Sequence, residues 1–182
     1  MTTYTFTTEE LCKETIKKLN IGDIVYLTGT LYTARDRAQQ LLLNIPQDKL
    51  PFDPTHLPIY HCGPLAKKTT DGWTILSCGP TTSSRLEETQ SHLIKKYHSP
   101  LLIGKGGMGP KTAQSLKDHS SVYTTYTGGC GALAAERITQ VENVYYLSEL
   151  GMAEAIWILK IKEFGPLLVS MDSKGKTLYT HK

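Results

Sequence analysis

One local pattern recurs along this chain and limits what it can fold into: a short apolar run that ends at a tight loop, often followed by apolar residues at helical spacing. The runs are Ile24 to Leu27, Trp73 to Leu76 before Gly79-Pro80, Leu101 to Ile103 before a glycine loop, and Val122 to Tyr126 before Gly128-Gly129. Runs this short, bounded by glycine and proline, predict strands. After the first, Ala34, Ala38, Leu41, Leu42 and Ile45 share one helical face, and after the second Leu86, Leu93, Ile94 and Tyr97 do so. The class is therefore α/β. Thr33 with Asp36, and Ser84 with Glu87, have the capping-box spacing and predict the two helix starts. A short opening helix is expected over Glu9 to Leu19. Two closing strands, Ala155 to Phe164 and Leu167 to Met171, are expected on either side of Gly165-Pro166, before a Ser173-Lys174-Gly175 turn.

Length and composition narrow the class further. The 182 residues, 40% hydrophobic and 20% charged, suit one folded domain over residues 1–182 and exclude wholesale disorder and low-complexity architectures. No repeat or linker divides them, although Asn44 to Pro58 carries four prolines and predicts a surface loop. Twenty Lys and Arg against 17 Asp and Glu leave a net charge of +3, too small for a nucleic-acid field, so any anion site must be local. The polar amino terminus and the lack of a long apolar run lead us to expect a cytoplasmic protein. Cys12, Cys62, Cys78 and Cys130 form no CxxC pair, and the six histidines show no ligand spacing, so no metal site is legible.

The strand-to-helix junctions hold cations where none is favoured. If the predicted caps hold, Arg35 and Arg85 each lie in the first turn of a helix, where exposed N–H groups already make the potential positive and a cation costs about 0.3–1 kcal/mol. A bound carboxylate or phosphate would offset that cost. At a third junction, Gly104-Lys105-Gly106-Gly107-Met108-Gly109 puts Lys105 in a loop whose glycines allow close approach to a ligand, with Pro110 suited to the first helical position. Such junctions gather at the carboxyl ends of strands, so the three cations are expected to face one crevice, joined by the hydroxyls of Thr81 and Thr82. A pairing of Arg35 with Asp36 or a nearby acid is the plain structural alternative.

Other motifs are less informative. The glycine loop satisfies GxGxxG, but no acid ends the next strand to hold a ribose, and Pro110 shifts Lys111-Thr112 out of the phosphate-loop register. Cys130 follows Gly128-Gly129 at a junction where a thiol could be activated, yet no histidine is near it in sequence, and a packing role is the better reading. His61-Cys62 ends a short strand from Pro58 and reads equally as a buried polar turn.

Four segments in the same order carry a family resemblance: Gly22-Asp23-Ile24-Val25-Tyr26-Leu27-Thr28-Gly29, Thr33-Ala34-Arg35-Asp36, Gly79-Pro80-Thr81-Thr82-Ser83-Ser84-Arg85, and Gly104-Lys105-Gly106-Gly107-Met108. Together with Glu149-Leu150-Gly151-Met152 and Glu163-Phe164-Gly165-Pro166-Leu167, they resemble the C-terminal region of class I fumarases and, more closely, the separate β subunit of L-tartrate and fumarate dehydratases. The resemblance implies a swivelling, three-layer β/β/α domain working beside an α subunit that carries a [4Fe-4S] cluster, with none bound by this chain, in an α2β2 heterotetramer. It implies reversible hydration of a four-carbon dicarboxylate (fumarate/malate or L-tartrate), the open iron acting as Lewis acid. By the same resemblance Arg35, Arg85 and Lys105 grip substrate carboxylates, Thr81 is the proton acceptor, and Thr82 and Gly106 complete the substrate site. The chain departs from the family after Asp36, where Arg37-Ala38-Gln39-Gln40 replaces a small residue followed by a basic pair. The reading from another class is a noncatalytic anion- or nucleotide-binding regulatory module using the same crevice.

Overall fold

The protein, described over residues 1–179 by a computed structural model, runs β1 (Thr3–Thr7), a 3-10 turn (Thr8–Glu10), α1 (Lys13–Lys18), β2 (Ile24–Thr33), α2 (Asp36–Asn44), a second 3-10 turn (Gln47–Lys49) and β3 (Ile59–Tyr60). It continues through β4 (Leu65–Thr69), β5 (Gly72–Ser77), a 3-10 turn (Ser83–Leu86), α3 (Glu87–Tyr97), β6 (Leu101–Gly104), α4 (Pro110–His119) and β7 (Val122–Thr125). The last elements are α5 (Gly131–Glu136), β8 (Ile138–Tyr145), α6 (Leu147–Leu150) and β9 (Ile156–Met171). Among the described residues no helix is long and apolar enough to cross a membrane.

Alternation along the strands sorts the core into two clusters. Val25, Leu27 and Leu31 of β2, Leu101 and Ile103 of β6 and Val122 of β7 point to one side; Tyr32, Leu102 and Tyr123 point to the other, against α2, α3 and α4. Strands β1, β2, β3, β6 and β7 pair in parallel, and β9 joins antiparallel to β2, β7 and β8, giving a mixed seven-stranded sheet. Because β9 bonds both β7 and β2, the path β2-β3-β6-β7-β9 returns to its start and encloses the first cluster.

Two bulges make that closure work. Between Val25 and Gly29 of β2, the partners on β9 run from Leu167 through Phe164 to Ile161, so β9 holds two extra residues. Each bulge bends the strand, and together they keep Ile161, Phe164, Leu167 and Val169 all facing the enclosed core. The expected break at Gly165-Pro166 is thus a correction: one 16-residue strand runs through it, because a proline at a bulge removes no ladder hydrogen bond. Glu163, at φ 48, takes the left-handed conformation there, and its N–H donates to Thr28 Oγ1 at 3.0 Å.

Other expectations shift as well. The opening helix is split at Leu11-Cys12 into a 3-10 turn and α1. Trp73 to Leu76 does form a strand, but in a β4–β5 hairpin apart from the main sheet; the parallel unit is β3, then α3, with the hairpin inserted between Cys62 and Pro80, which bridge its neck. Pro110 opens α4 as expected. Neither capping box forms: Thr33 lies within β2, its Oγ1 accepting from Trp157 N–H at 3.1 Å and donating to Ala155 O, and Ser84 is exposed in the 3-10 turn.

Phe164 sits between the rings of Tyr60 and Tyr126, at centroid distances of 5.3 and 5.1 Å. Phe164→Ala should lower the unfolding free energy by about 3–5 kcal/mol, read by equilibrium urea denaturation.

Candidate active site

Arg35, Thr81, Arg85 and Lys105 all follow the carboxyl ends of parallel strands. Arg35 is the N-cap of α2, two residues beyond β2. Thr81 reaches the end of β3 from the far side of the hairpin, its N–H donating to His61 O at 2.7 Å. Lys105 directly follows β6, and a bridge pairs it with Thr82. Ser83 N–H donates to Lys105 O at 3.0 Å while Lys105 N–H donates back to Ser83 Oγ at 3.1 Å, so the two loops are clipped backbone to backbone and backbone to side chain.

The side chains of Arg35, Arg85 and Thr81 meet around Asp36, whereas Lys105 is tied to them through its backbone. Asp36 Oδ2 accepts from Arg85 Nη2 at 3.1 Å and lies 4.0 Å from Arg35 Nε. Arg85 Nη2 also donates to Thr81 Oγ1 at 3.1 Å, and Arg35 Nε lies 3.3 Å from Glu154 Oε1. Two glycines let the long chains lie flat: a Cβ on Gly63 would stand 2.7 Å from Arg35 Nη1, and one on Gly128 would stand 2.9 Å from Lys105 Cδ. Gly106 is exposed at φ 74, its carbonyl held by the Tyr123 hydroxyl at 2.8 Å, and Thr82 is exposed. Among the described residues the Lys105 ammonium has no ion-pair partner.

A bound anion is not needed to offset the cations at the helix starts, contrary to expectation, because the protein supplies its own carboxylates. Glu154 accepts from Arg37 N–H in the first turn of α2 at 2.9 Å as well as facing Arg35. Glu87 caps α4, accepting from Gly109 N–H at 2.7 Å, from Thr112 N–H at 3.0 Å and from the Thr112 hydroxyl at 2.7 Å. The helix N-terminus after the glycine loop, which a dinucleotide pyrophosphate would need, is already occupied. What remains open to a ligand is the exposed face of Arg85, the Lys105 ammonium and the Thr81 hydroxyl.

Beneath the loops lies a polar network centred on His61, whose sequence context reads equally as a buried polar turn. His61 is fully buried; its Nδ1 lies 2.9 Å from Ser83 Oγ and its Nε2 lies 2.7 Å from Gln90 Oε1. Gln90 Oε1 also accepts from Gln39 Nε2 at 2.8 Å, and Thr89 Oγ1 donates to Gln39 Oε1 at 2.6 Å. Of the residues that depart from the family after Asp36, Gln39 therefore belongs to the buried network and Gln40 is exposed, while Arg37 donates to the last carbonyls of α6 at Glu149 and Leu150. Burial pulls the His61 pKa down to about 4, against the opposing Gln90 hydrogen bond and Asp36 charge.

The thiols do not gather. Cys62 and Cys78 are buried with their sulfurs 3.2 Å apart, burial pushing the Cys62 thiol well up, whereas Cys130 is partly exposed near α5. Cys12 lines a cavity of about 800 Å³ at the opposite end of the sheet, with His56, His98 and His119. Among the described residues no group of three or more His, Cys, Asp or Glu side chains is arranged to hold a metal ion.

The profile described as the fumarase C-terminus matches residues 3–182. The chain belongs to that family. It is 46% identical over 178 residues to a Methanocaldococcus jannaschii protein with the provisional name L(+)-tartrate dehydratase subunit beta, covering 97% of this chain and 90% of that one. It is 39% identical over 165 residues to the L(+)-tartrate dehydratase subunit beta of Escherichia coli K12, covering 91% and 81%. A Geobacillus stearothermophilus protein with the provisional name fumarate hydratase class I is 41% identical over 170 residues, 93% of this chain but 32% of that protein. The matched region is about a third of that protein's length.

Two measurements check this geometry. Glu87→Ala should destabilise the fold by about 1.5–3 kcal/mol in urea denaturation, since three donors at the start of α4 lose a charged acceptor. Because the folded His61 pKa lies below its ordinary 6.5, the neutral ring's contribution is complete above pH 6.5 and declines as pH falls toward about 4. The wild-type melting temperature should drop more steeply across that interval than that of His61→Asn.

Proposed function

We propose that this chain is the β subunit of an iron–sulfur hydro-lyase that adds water to, or removes it from, a four-carbon dicarboxylate of the fumarate/malate or L-tartrate type. The observation that carries this reading is the convergence of Arg35, Thr81, Arg85 and Lys105 at the carboxyl ends of β2, β3 and β6 in a member of the fumarase C-terminus family. The names of its relatives supply the reaction class. In this reading residues 1–182 act as one swivelling, three-layer β/β/α domain in the cytoplasm, paired with an α subunit in an α2β2 assembly. In this reading the α subunit holds the [4Fe-4S] cluster, and this chain contributes no ligand to it.

This chain's share of the chemistry is to bind and orient the substrate. The guanidinium of Arg85 presents a planar donor fork to one carboxylate, and the substrate group joins or displaces Asp36 between Arg85 and Arg35. Lys105 places a compact positive charge where the second carboxylate takes on enediolate character as a C–H proton leaves. Thr81 Oγ1, already accepting from Arg85 Nη2, sits where neighbouring positive charge stabilises an oxyanion, which suits it to accept that proton. Thr82 and the exposed Gly106 backbone border the same opening.

Purified alone, the chain should show no dehydratase activity. Mixed anaerobically with a cluster-bearing α subunit, it should hydrate or dehydrate a dicarboxylate, and Arg85→Ala or Lys105→Ala should lower kcat/KM by about 100- to 1000-fold. Full activity in either variant would remove these residues from the site.

A further inference from the structure

We infer that His61, held as a neutral imidazole, positions the lysine loop through Ser83, so that His61 and Ser83 are positioning residues for Lys105 and Thr81. The inference rests on the hydro-lyase reading for its effect on turnover, but its geometry stands on its own.

The directions of the hydrogen bonds follow from what each atom can do. Gln90 Oε1 can only accept, and it already takes a hydrogen from Gln39 Nε2, so the hydrogen between it and His61 must sit on Nε2. Full burial keeps the ring neutral, so His61 Nδ1 is a lone pair. The Ser83 hydroxyl donates to it and keeps its own oxygen free to accept from Lys105 N–H. The result is one chain in one direction: Lys105 N–H to Ser83 Oγ, Ser83 O–H to Nδ1, Nε2–H to Gln90. The backbone of His61 extends the same control, since its N–H donates to Ile103 O at 2.8 Å and its carbonyl accepts from Thr81 N–H at 2.7 Å. One buried residue is thus bonded to β6, to the threonine and, through Ser83, to the lysine.

The packing around the chain of bonds is close. A Cβ on Gly104, the residue before Lys105, would overlap Ser83 Oγ and stand 2.9 Å from His61 Nδ1 and 2.8 Å from the Tyr123 hydroxyl. Ser83 and Gln90 are fully buried, as is His61, so water does not substitute for a lost member of the chain. A protonated ring would turn Nδ1 into a donor facing a hydroxyl that already receives Lys105 N–H, and the chain would lose its direction.

The two amide substitutions at His61 separate this role from mere space filling. Asn places its amide oxygen near the position of Nδ1 and preserves an acceptor for Ser83, whereas Gln reaches toward Nε2 and removes it. In the assembled protein, hydrogen exchange at the Lys105 amide should quicken about tenfold in Ser83→Ala and His61→Gln, and less in His61→Asn, with Leu101 to Ile103 unchanged. Exchange at wild-type rates in Ser83→Ala overturns the inference whatever the enzyme's activity. With a dicarboxylate substrate, kcat should fall about 10- to 100-fold in Ser83→Ala and His61→Gln with little change in KM, and their combination should lose no more than the worse single variant. Independent, multiplying losses, or an equal loss in His61→Asn and His61→Gln, would overturn it. An assembly that is inactive on every dicarboxylate defeats the hydro-lyase reading and leaves the exchange result to decide this one.

Discussion

The antiparallel pairing of β9 with β2 is the constraint on which everything else depends. A strand that bonds β7 near its end and β2 along most of its length draws a parallel sheet into a closed path, and the interior must then be filled from every strand at once. Two bulges let β9 turn while Ile161, Phe164, Leu167 and Val169 stay inside. Closure also fixes where the loops go. Once β2, β3, β6 and β7 are neighbours running the same way, the segments after them emerge at one end, and Arg35, Thr81, Arg85 and Lys105 come together without any contact in sequence.

The charges at that end are more self-sufficient than their helix-end positions suggest. Carboxylates fill the places that a ligand was expected to take: Glu154 at the start of α2 and Glu87 at the start of α4, both from distant segments, and Asp36, next to Arg35 in sequence, between the two arginines. This holds the cations in a defined geometry, which in the proposed reading limits the reorganisation needed when a dicarboxylate binds. Lys105 is placed differently, by its backbone, through Ser83 and the buried imidazole behind it. Side-chain ion pairs hold the arginines and a neutral hydrogen-bond chain holds the lysine loop, so salt should loosen the two parts of the site unequally.

Much of this was legible before any coordinates. Short, continuous apolar runs at Ile24 to Leu27 and Leu101 to Ile103 marked strands, the faces of α2 and α3 followed helical spacing, and Pro110 marked the start of α4. Other features were missed or left no local trace. β1 alternates threonine with Tyr4 and Phe6, a strand pattern hidden in what read only as a polar amino terminus, whereas bulges interrupt the alternation of β8. Thr33 and Ser84 had the right spacing for caps, yet Thr33 is claimed by β9 across 124 positions of chain. His61 read as a turn because its partners, Ser83 and Gln90, lie 22 and 29 residues away.

The residue types, their order and their short-range spacing settled the α/β class, the family likeness and the identity of the cations and hydroxyls at the strand ends, because these depend on local backbone preference and on side-chain chemistry. Tertiary structure alone decided which carboxylate faces which cation, which side chains flank the two nitrogens of His61, and that a hairpin rather than a parallel strand precedes Thr81. Those outcomes depend on closure of the sheet, which brings together atoms that no local rule relates.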